Sequence, residues 1–287
     1  MPRCAFLSTD NLEDFFVYDD LVKPFLHHLG WTVEDVSWKN KDIDYEQFEV
    51  VVVRSTWDYQ DDAEAFLQCL KKIDESSATL ENAFELMRWN ISKSYLKDLQ
   101  ANGVPILPTL WHERFNTQAI EQAFSHFDSD KLIIKPLVSA NADHTYLFTK
   151  EDVASLQDTF TEVFSERAFM LQAFEDSIQD KGEYSLFYFG GSFSHGICKI
   201  PAKGDFRVQE EHGGGLVSVE PSAAMLSLAQ QTIDALPAPA LYARVDMLDT
   251  AKGLAIIEVE LIEPSLYFNM DDDSASRFAD VIHQKYA

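Results

Sequence analysis

The sequence predicts an α/β protein that turns to α+β in its last third, and three observations carry that prediction. Apolar, strand-like runs alternate with helical spacing through the first 80 or so residues, in the doubly wound manner. One run, 49–53, holds four valines in a row, as suits a parallel strand buried on both faces. The last third is richer in strands, with hairpin signals at Gly190-Gly191 and across 250–253. At 287 residues and 46% hydrophobic, the chain can build one large α/β unit or two or three small subdomains.

Taken in order, 4–8 reads as the first strand and 17–29 as a helix ending at Gly30, a C-cap signal. Residues 31–37 form the second strand, 49–53 the third, and 61–73 an amphipathic helix. The middle third opens with a helix over 88–101, stopped by Asn102-Gly103. A strand (105–109), a helix (116–126), a strand (131–136) and another near 144–148 follow, then a helix (151–164) and an apolar strand (168–174). A hairpin of 184–189 with 193–200, a Gly-rich loop at 211–215, a helix at 222–235, an acidic hairpin and a closing helix at 274–286 complete the chain. No internal repeat, low-complexity tract or long linker is evident.

A formal charge of −25 and a pI near 4.5 argue against a general nucleic-acid or anionic-membrane surface. An anionic ligand needs only a local cluster of the scarce Lys and Arg. Cys4, Cys69 and Cys198 are widely spaced, lie in or beside apolar segments, and read as reduced core thiols. The N-terminus runs straight into a strand without a signal-peptide core, and no 18 consecutive apolar residues occur, so a cytoplasmic protein is expected.

The most informative stretch is Tyr242-Ala-Arg244-Val-Asp246 with Ile257-Glu258-Val-Glu260-Leu-Ile-Glu263-Pro264. With a strand's period of two, Glu258 and Glu260 share one face, and Ile257, Val259 and Leu261 take the other. If 240–249 pairs with 254–262, Asp246 lies roughly opposite the acidic face. Three converging carboxylates repel unless a cation sits between them. Hard oxygen ligands without His or Cys favour Mg²⁺ bound together with substrate phosphates. Arg244 shares a face with Asp246 and suits a phosphate oxygen. A solvated sheet face with alternating acids is the plainer alternative.

Several basic residues stand out because they sit in apolar strands. Lys135 closes Leu132-Ile-Ile-Lys135-Pro136, a costly place unless its ammonium reaches solvent or an anion. Lys93 lies on the preceding helix, where a solvated lysine would serve as well. Lys199 sits inside another apolar strand, followed by Asp205, Arg207 and the glycines Gly213 and Gly214. Arg207 suits a carboxylate or phosphate, and the glycines allow close backbone approach. Ser139–Asp143 could admit a phosphate to its backbone amides, or be an ordinary polar turn. Gln172-Ala173-Phe174 leads out of a buried strand toward Glu183, where an adenine ring could insert or a plain hinge could run. Arg54 and Ser55 follow the carboxyl end of the valine strand, where open α/β sheets bind ligands; Arg54 reads as a substrate-carboxylate partner or as a structural ion pair with Asp58. His195 reads as a satisfied structural histidine.

In this order the pieces resemble the ATP-grasp superfamily, nearest to glutathione-synthetase-like ligases and cycloserine-pathway cyclo-ligase relatives. The specific matches are Lys199-Ile-Pro-Ala-Lys-Gly-Asp-Phe-Arg207 with Gly213-Gly214, and Arg244-Val-Asp246 with Glu258-x-Glu260 and Glu263-Pro264. The resemblance implies a pre-ATP-grasp domain over 1–85 and ATP-grasp subdomains over 86–174 and 175–287. It implies ATP and Mg²⁺, with Asp246, Glu258 and Glu260 as metal ligands; Glu260 stands where the family commonly has Asn. It makes Lys93 and Lys135 the phosphate lysines, Gln172, Ala173 and Phe174 the adenine hinge, and Ser139 and Glu183 nucleotide neighbours. Arg244, Arg207 and Lys199 become catalytic, and Arg54, Ser55, Arg207, Gly213 and Gly214 contact substrate. The implied reaction joins a small amino-acid or peptide-like carboxylate to an amine, within one molecule or between two, through an acyl phosphate; family members are often homodimers. A nucleotide-binding regulator that has lost catalysis is the second reading, prompted by the glycine-poor lid. A dinucleotide oxidoreductase finds little support, because no Gly-x-Gly-x-x-Gly follows the first strand.

Overall fold

The computed structural model describes every residue of the chain except Asp14, Asn141, Glu211 and His212. Three sheets organise it. The first is parallel: β1 (Arg3–Ser8), β2 (Thr32–Ser37), β3 (Val50–Ser55) and β4 (Thr79–Glu81), in the order β2-β1-β3-β4. All six residues of β3 are buried, as the valine run requires. Helices α1 (Lys23–His28) and α2 (Ala63–Asp74) accompany this sheet. The helix expected over 17–29 shortens to α1, because Pro24 is tolerated only in a first helical turn.

Helices α3 (Phe84–Asn90) and α4 (Tyr95–Ala101) lead to the second sheet. It comprises β5 (Thr109–His112), β6 (Lys131–Pro136), β7 (Tyr146–Thr149) and β8 (Phe169–Ala173), antiparallel in the order β5-β8-β6-β7. Helices α5 (Thr117–Phe127) and α6 (Val153–Phe164) belong to this unit, and Ile120, Phe124, Phe160 and Phe164 join Leu132, Ile134, Phe169 and Leu171 in its own core.

After the short α7 (Ser177–Lys181), the third sheet gathers β9 (Glu183–Phe189), β10 (Ser192–Ile200), β11 (Gly215–Ser218), β12 (Tyr242–Thr250) and β13 (Gly253–Glu260). These run antiparallel as β11-β10-β9-β12-β13. Helix α8 (Ala223–Asp234) precedes β12, and α9 (Ser274–Tyr286) closes the chain. The first and third sheets share one core: Cys4, Phe6, Val50 and Val52 pack with Phe187, Tyr242 and Phe278. Asn82 stitches them further, donating to the carbonyls of Tyr242 (2.9 Å) and Leu261 (2.7 Å).

The single helix expected over 88–101 is two helices. Asn90 donates to the Val259 carbonyl (2.8 Å) and accepts from the Leu261 amide (3.0 Å), while the Lys93 amide turns to the Leu137 carbonyl (2.7 Å). These side-chain bonds also satisfy the open edge of β13, which would otherwise be a row of unpaired polar groups. The strand expected over 105–109 begins only at Thr109, and β4, α7 and β11 had no forecast.

Candidate active site

A cleft opens between the second and third sheets, lined from both and roofed by residues of the first unit's loops. Its floor is the β12–β13 hairpin. Asp246 stands opposite Glu258 and Arg244 opposite Glu260, so the pairing read from the sequence is observed. The register shifts between Asp246 and Met247, which face Glu258 and Ile256; Ile257 is the extra, bulged residue. This corrects the expected face of Ile257. It lies in an apolar cluster with Phe174, Leu248 and Ala255, whereas Val259 and Leu261 enter the core below. The bulge therefore presents Ile257 and Glu258 to the cleft in succession, an apolar wall directly beside the acids.

Every acid of this hairpin floor has a basic neighbour. Glu258 pairs with Lys93, which also donates to the Ser139 carbonyl (3.3 Å). Asp246, 1% exposed, accepts from Arg244 (2.9 to 3.1 Å), Ser185 (2.5 Å) and Lys199 (3.4 Å). Arg244 also pairs with Glu260, and Lys199 with Glu183. Burial would raise the Asp246 carboxyl, but Arg244 and Lys199 hold it down at about 2. Glu258 is likewise kept low against its burial by Lys93 and Lys135. Glu260 goes the other way: burial, with Glu258 and Asp246 nearby, pushes it up to about 7 despite Arg244. Burial also raises Glu183. Glu183, Asp246, Glu258 and Glu260 thus meet three cations in direct contact, Lys93, Lys199 and Arg244.

Lys135 projects from β6 on the opposite wall. Its ammonium has no hydrogen bond or ion pair among the described residues, and burial lowers its pKa. A desolvated, unpaired lysine facing a cleft is what an anionic ligand would relieve. Gln172, Ala173 and Phe174 line the same wall; the Phe174 amide is already donated to the Lys131 carbonyl (3.0 Å), and Gln172 donates to Thr109 Oγ1 (2.9 Å). Ser139, Ala140 and Ala142 line the rim, and Ala142 and His144 take left-handed backbone (φ 57° and 48°) in place of the missing glycines. Asn141 of that segment lies outside the described residues, as do Glu211 and His212 of the Gly-rich loop.

Arg207 lines the cleft, and its fork is turned onto Asp205, to whose carboxylate Nε (3.2 Å) and Nη2 (2.8 Å) both donate. Gly213 and Gly214 do not line it. A Cβ on Gly214 would lie 2.1 Å from the Val208 carbonyl oxygen, so the glycine closes the turn carrying Arg207 and Val208 rather than meeting a ligand. Arg54 and Ser55 are also absent from the cleft. Arg54, 1% exposed, donates to Asp19 (3.0 Å) and to the Pro264 carbonyl (2.9 Å), and lies over the Tyr242 ring; Ser55 donates to the same Asp19 (2.5 Å). The substrate role expected for both gives way to a structural one, and Asp58 instead serves Trp38 and Lys39. His195 stacks on Phe187 (4.3 Å) and bonds the Leu266 carbonyl, a structural histidine. Sequence reasoning gave no role to Tyr59, Ile257 or Glu263, all of which line the cleft; an acid between Ile262 and Pro264 was the visible signal.

Among the described residues, no three of His, Cys, Asp and Glu stand as a ready metal cage. Mg²⁺ does not need one. It usually takes one or two carboxylates together with phosphate oxygens and water. Asp246 and Glu258, facing each other across one strand pair on the cleft floor, fit that donor set.

Two antiparallel sheets closing on such a cleft, beside an open α/β unit, form an ATP-grasp fold. The RimK domain protein ATP-grasp from Sphaerobacter thermophilus matches with a TM-score of 0.71 at 16% identity, over 98% of this chain and 99% of that one. D-alanine–D-alanine ligase from Bacillus anthracis matches with 0.69 at 13% identity, over 99% and 97%. The more particular likeness is to the cycloserine pathway. Residues 4–82 match the family model described as the N-terminal domain of D-cycloserine synthetase DcsG. Over 281 residues the chain is 28% identical to the cycloserine biosynthesis protein DcsG of Streptomyces lavendulae, covering 90% of each. The crystal structure of D-cycloserine synthetase DcsG matches with a TM-score of 0.88 at 23% identity, over 99% of this chain and 100% of that one. The chain thus has the ATP-grasp fold and is similar to cycloserine-pathway relatives. No helix among the described residues is long and apolar enough to cross a membrane.

Proposed function

We propose that this protein is an ATP- and Mg²⁺-dependent carboxylate–amine ligase acting on a small amino-acid or peptide-like acid, and that the likeness to DcsG favours an intramolecular, ring-closing use of that chemistry. The observation that carries the reading is the unpaired, desolvated Lys135 facing Asp246 and Glu258 across one cleft. The adenine would lie against Ile257, Leu248 and Phe174, with the hinge at 172–174 alongside. Lys93 and Lys135 would bind the phosphates. Asp246 and Glu258, with Glu260 beside them, would hold Mg²⁺, which when bound supplies positive charge at the phosphate oxygens.

The γ-phosphoryl group passes to an oxygen of the substrate carboxylate, giving an acyl phosphate as ADP leaves. The amine then forms the C–N bond, phosphate departs with the C–O electron pair, and the nitrogen gives up its proton. The residues position and neutralise rather than bond covalently. Arg244 and Lys199 are locked by Asp246 and Glu183, so their charges are fixed in place before substrate arrives. Arg207 would meet the carboxylate from the loop above. Incubation with ATP, Mg²⁺ and a panel of amino acids should release ADP and phosphate. Absence of both nucleotide binding and turnover would sink the reading, whereas nucleotide-dependent stabilisation with no ADP formed would indicate a non-catalytic binder.

A further inference from the structure

Glu263 is the buried acid of the cleft that the ligase reading leaves idle. It is 8% exposed and lines the cleft just past the end of β13. Glu183, Asp246, Glu258 and Glu260 each have a lysine or arginine in contact, and Glu263 has none among the described residues. Its main chain is fixed by two bonds: Trp57 Nε1 donates to the Glu263 carbonyl (2.8 Å) and Arg54 donates to the Pro264 carbonyl (2.9 Å), which holds the backbone from which the carboxylate projects. The Tyr59 hydroxyl lies beside that carboxylate, and the rings of Trp57 and Tyr59, 9% and 4% exposed, line the same end of the cleft. A buried, cation-free carboxylate is costly unless a ligand brings the charge. Aromatic walls suit an organic ammonium, which sheds its water far more readily than Mg²⁺ does.

We infer that Glu263 and Tyr59 form the recognition point for a protonated amine, so that the acid accepted at this site is a zwitterion with a free ammonium group. The inference rests on the ligase reading of the same cleft and adds a substrate class to it. The rise of Glu263 to about 8, from burial and then from Glu260, agrees with a carboxylate lacking its cation.

The test uses the full chain with Mg²⁺ and a non-hydrolysable ATP analogue. Titration calorimetry should give the same nucleotide affinity for wild type and Glu263→Gln; failure of the wild type to bind nucleotide would overturn the ligase reading and this inference with it. At saturating analogue, thermal shifts are read with D- and L-alanine and D- and L-serine against their hydroxy-acid counterparts, lactate and glycerate. At least one amino acid should stabilise the wild type while its hydroxy acid does not. Glu263→Gln should weaken that amino acid by roughly 10- to 100-fold, the scale of a charge-assisted bond. Tyr59→Phe, which keeps the ring, should weaken it several-fold and guards against a folding defect in the first variant. With nucleotide bound, equal stabilisation by the hydroxy acid, an unchanged response in Glu263→Gln, or no response to any of the amino acids overturns the amine pocket and leaves the ligase reading standing.

Discussion

Arg54 separates a structural from a functional reading most cleanly. In Arg54→Met the guanidinium leaves Asp19 buried, 7% exposed, with only the Ser55 hydroxyl among the described side chains to bond it. Breaking a buried ion pair by removing one partner costs ~3–5 kcal/mol. The surviving Ser55 bond places this case near the low end, at about 3 kcal/mol, and loss of the stacking on Tyr242 (5.1 Å) and Phe278 (5.8 Å) brings the total to about 4. For a chain of this size that is a fall in Tm of roughly 7 °C. Adding Asp19→Asn should restore part of it, because the orphaned charge is then gone. Thermal denaturation supplies the first readout, and ADP release at 20 °C, normalised to folded protein, the second. The variant should keep its KM for the acid within about twofold. A Tm change under 2 °C together with a tenfold rise in that KM would return Arg54 to the substrate and refute the assignment.

Glu258→Gln should abolish ADP release at least 100-fold while leaving the far-ultraviolet circular dichroism unchanged, since it removes a charge but not a shape. Asp246→Asn should do the same at an added stability cost of about 2 kcal/mol, because Arg244, Lys199 and Ser185 all lean on it; activity in both variants would contradict the metal assignment. Gly214→Ala should raise the KM for the acid and leave nucleotide binding alone, because the Val208 carbonyl must move to admit the methyl group and Arg207 moves with it. Burial lowers His195 to about 4. An unfolded histidine near 6.5 takes up protons that the folded one refuses, so its contribution is intact above pH 6.5 and falls by about 3 kcal/mol as pH drops from there toward 4. Urea denaturation across that range should show the loss, and His195→Gln should flatten it.

The site was legible where chemistry contradicted its surroundings. Acids and lysines in apolar strands, such as Asp246, Glu258, Lys135 and Lys199, stand out because burial makes them expensive. What stayed hidden was partner choice. Arg54 has Asp58 four residues away in sequence, but the crossing of β3 with the segment before α1 puts Asp19 in its reach. The break between α3 and α4 was equally unreadable, since Asn90 finds its partners on β13, about 170 residues on. Gly213 and Gly214 were seen as ligand contacts because glycine marks close approach without saying to what; here it is the backbone of Val208. The parallel sheet and the closing hairpins followed directly from the valine run and the turn residues, whereas the three-residue β4 carries too little pattern to be noticed.

The extra residue at Ile257 lets two jobs be altered separately. A regular strand offers the cleft every second side chain, and here one position is doubled. Excising Ile257 would leave Ala255 above, Glu258 still facing Asp246, and Val259 still in the core, so the chain would fold and the proposed metal ligands would stay in step. One of the apolar side chains proposed to hold the base would go, with Leu248 and Phe174 left behind. Such a shortened protein should bind inorganic triphosphate with Mg²⁺ as before while binding the nucleotide several-fold more weakly.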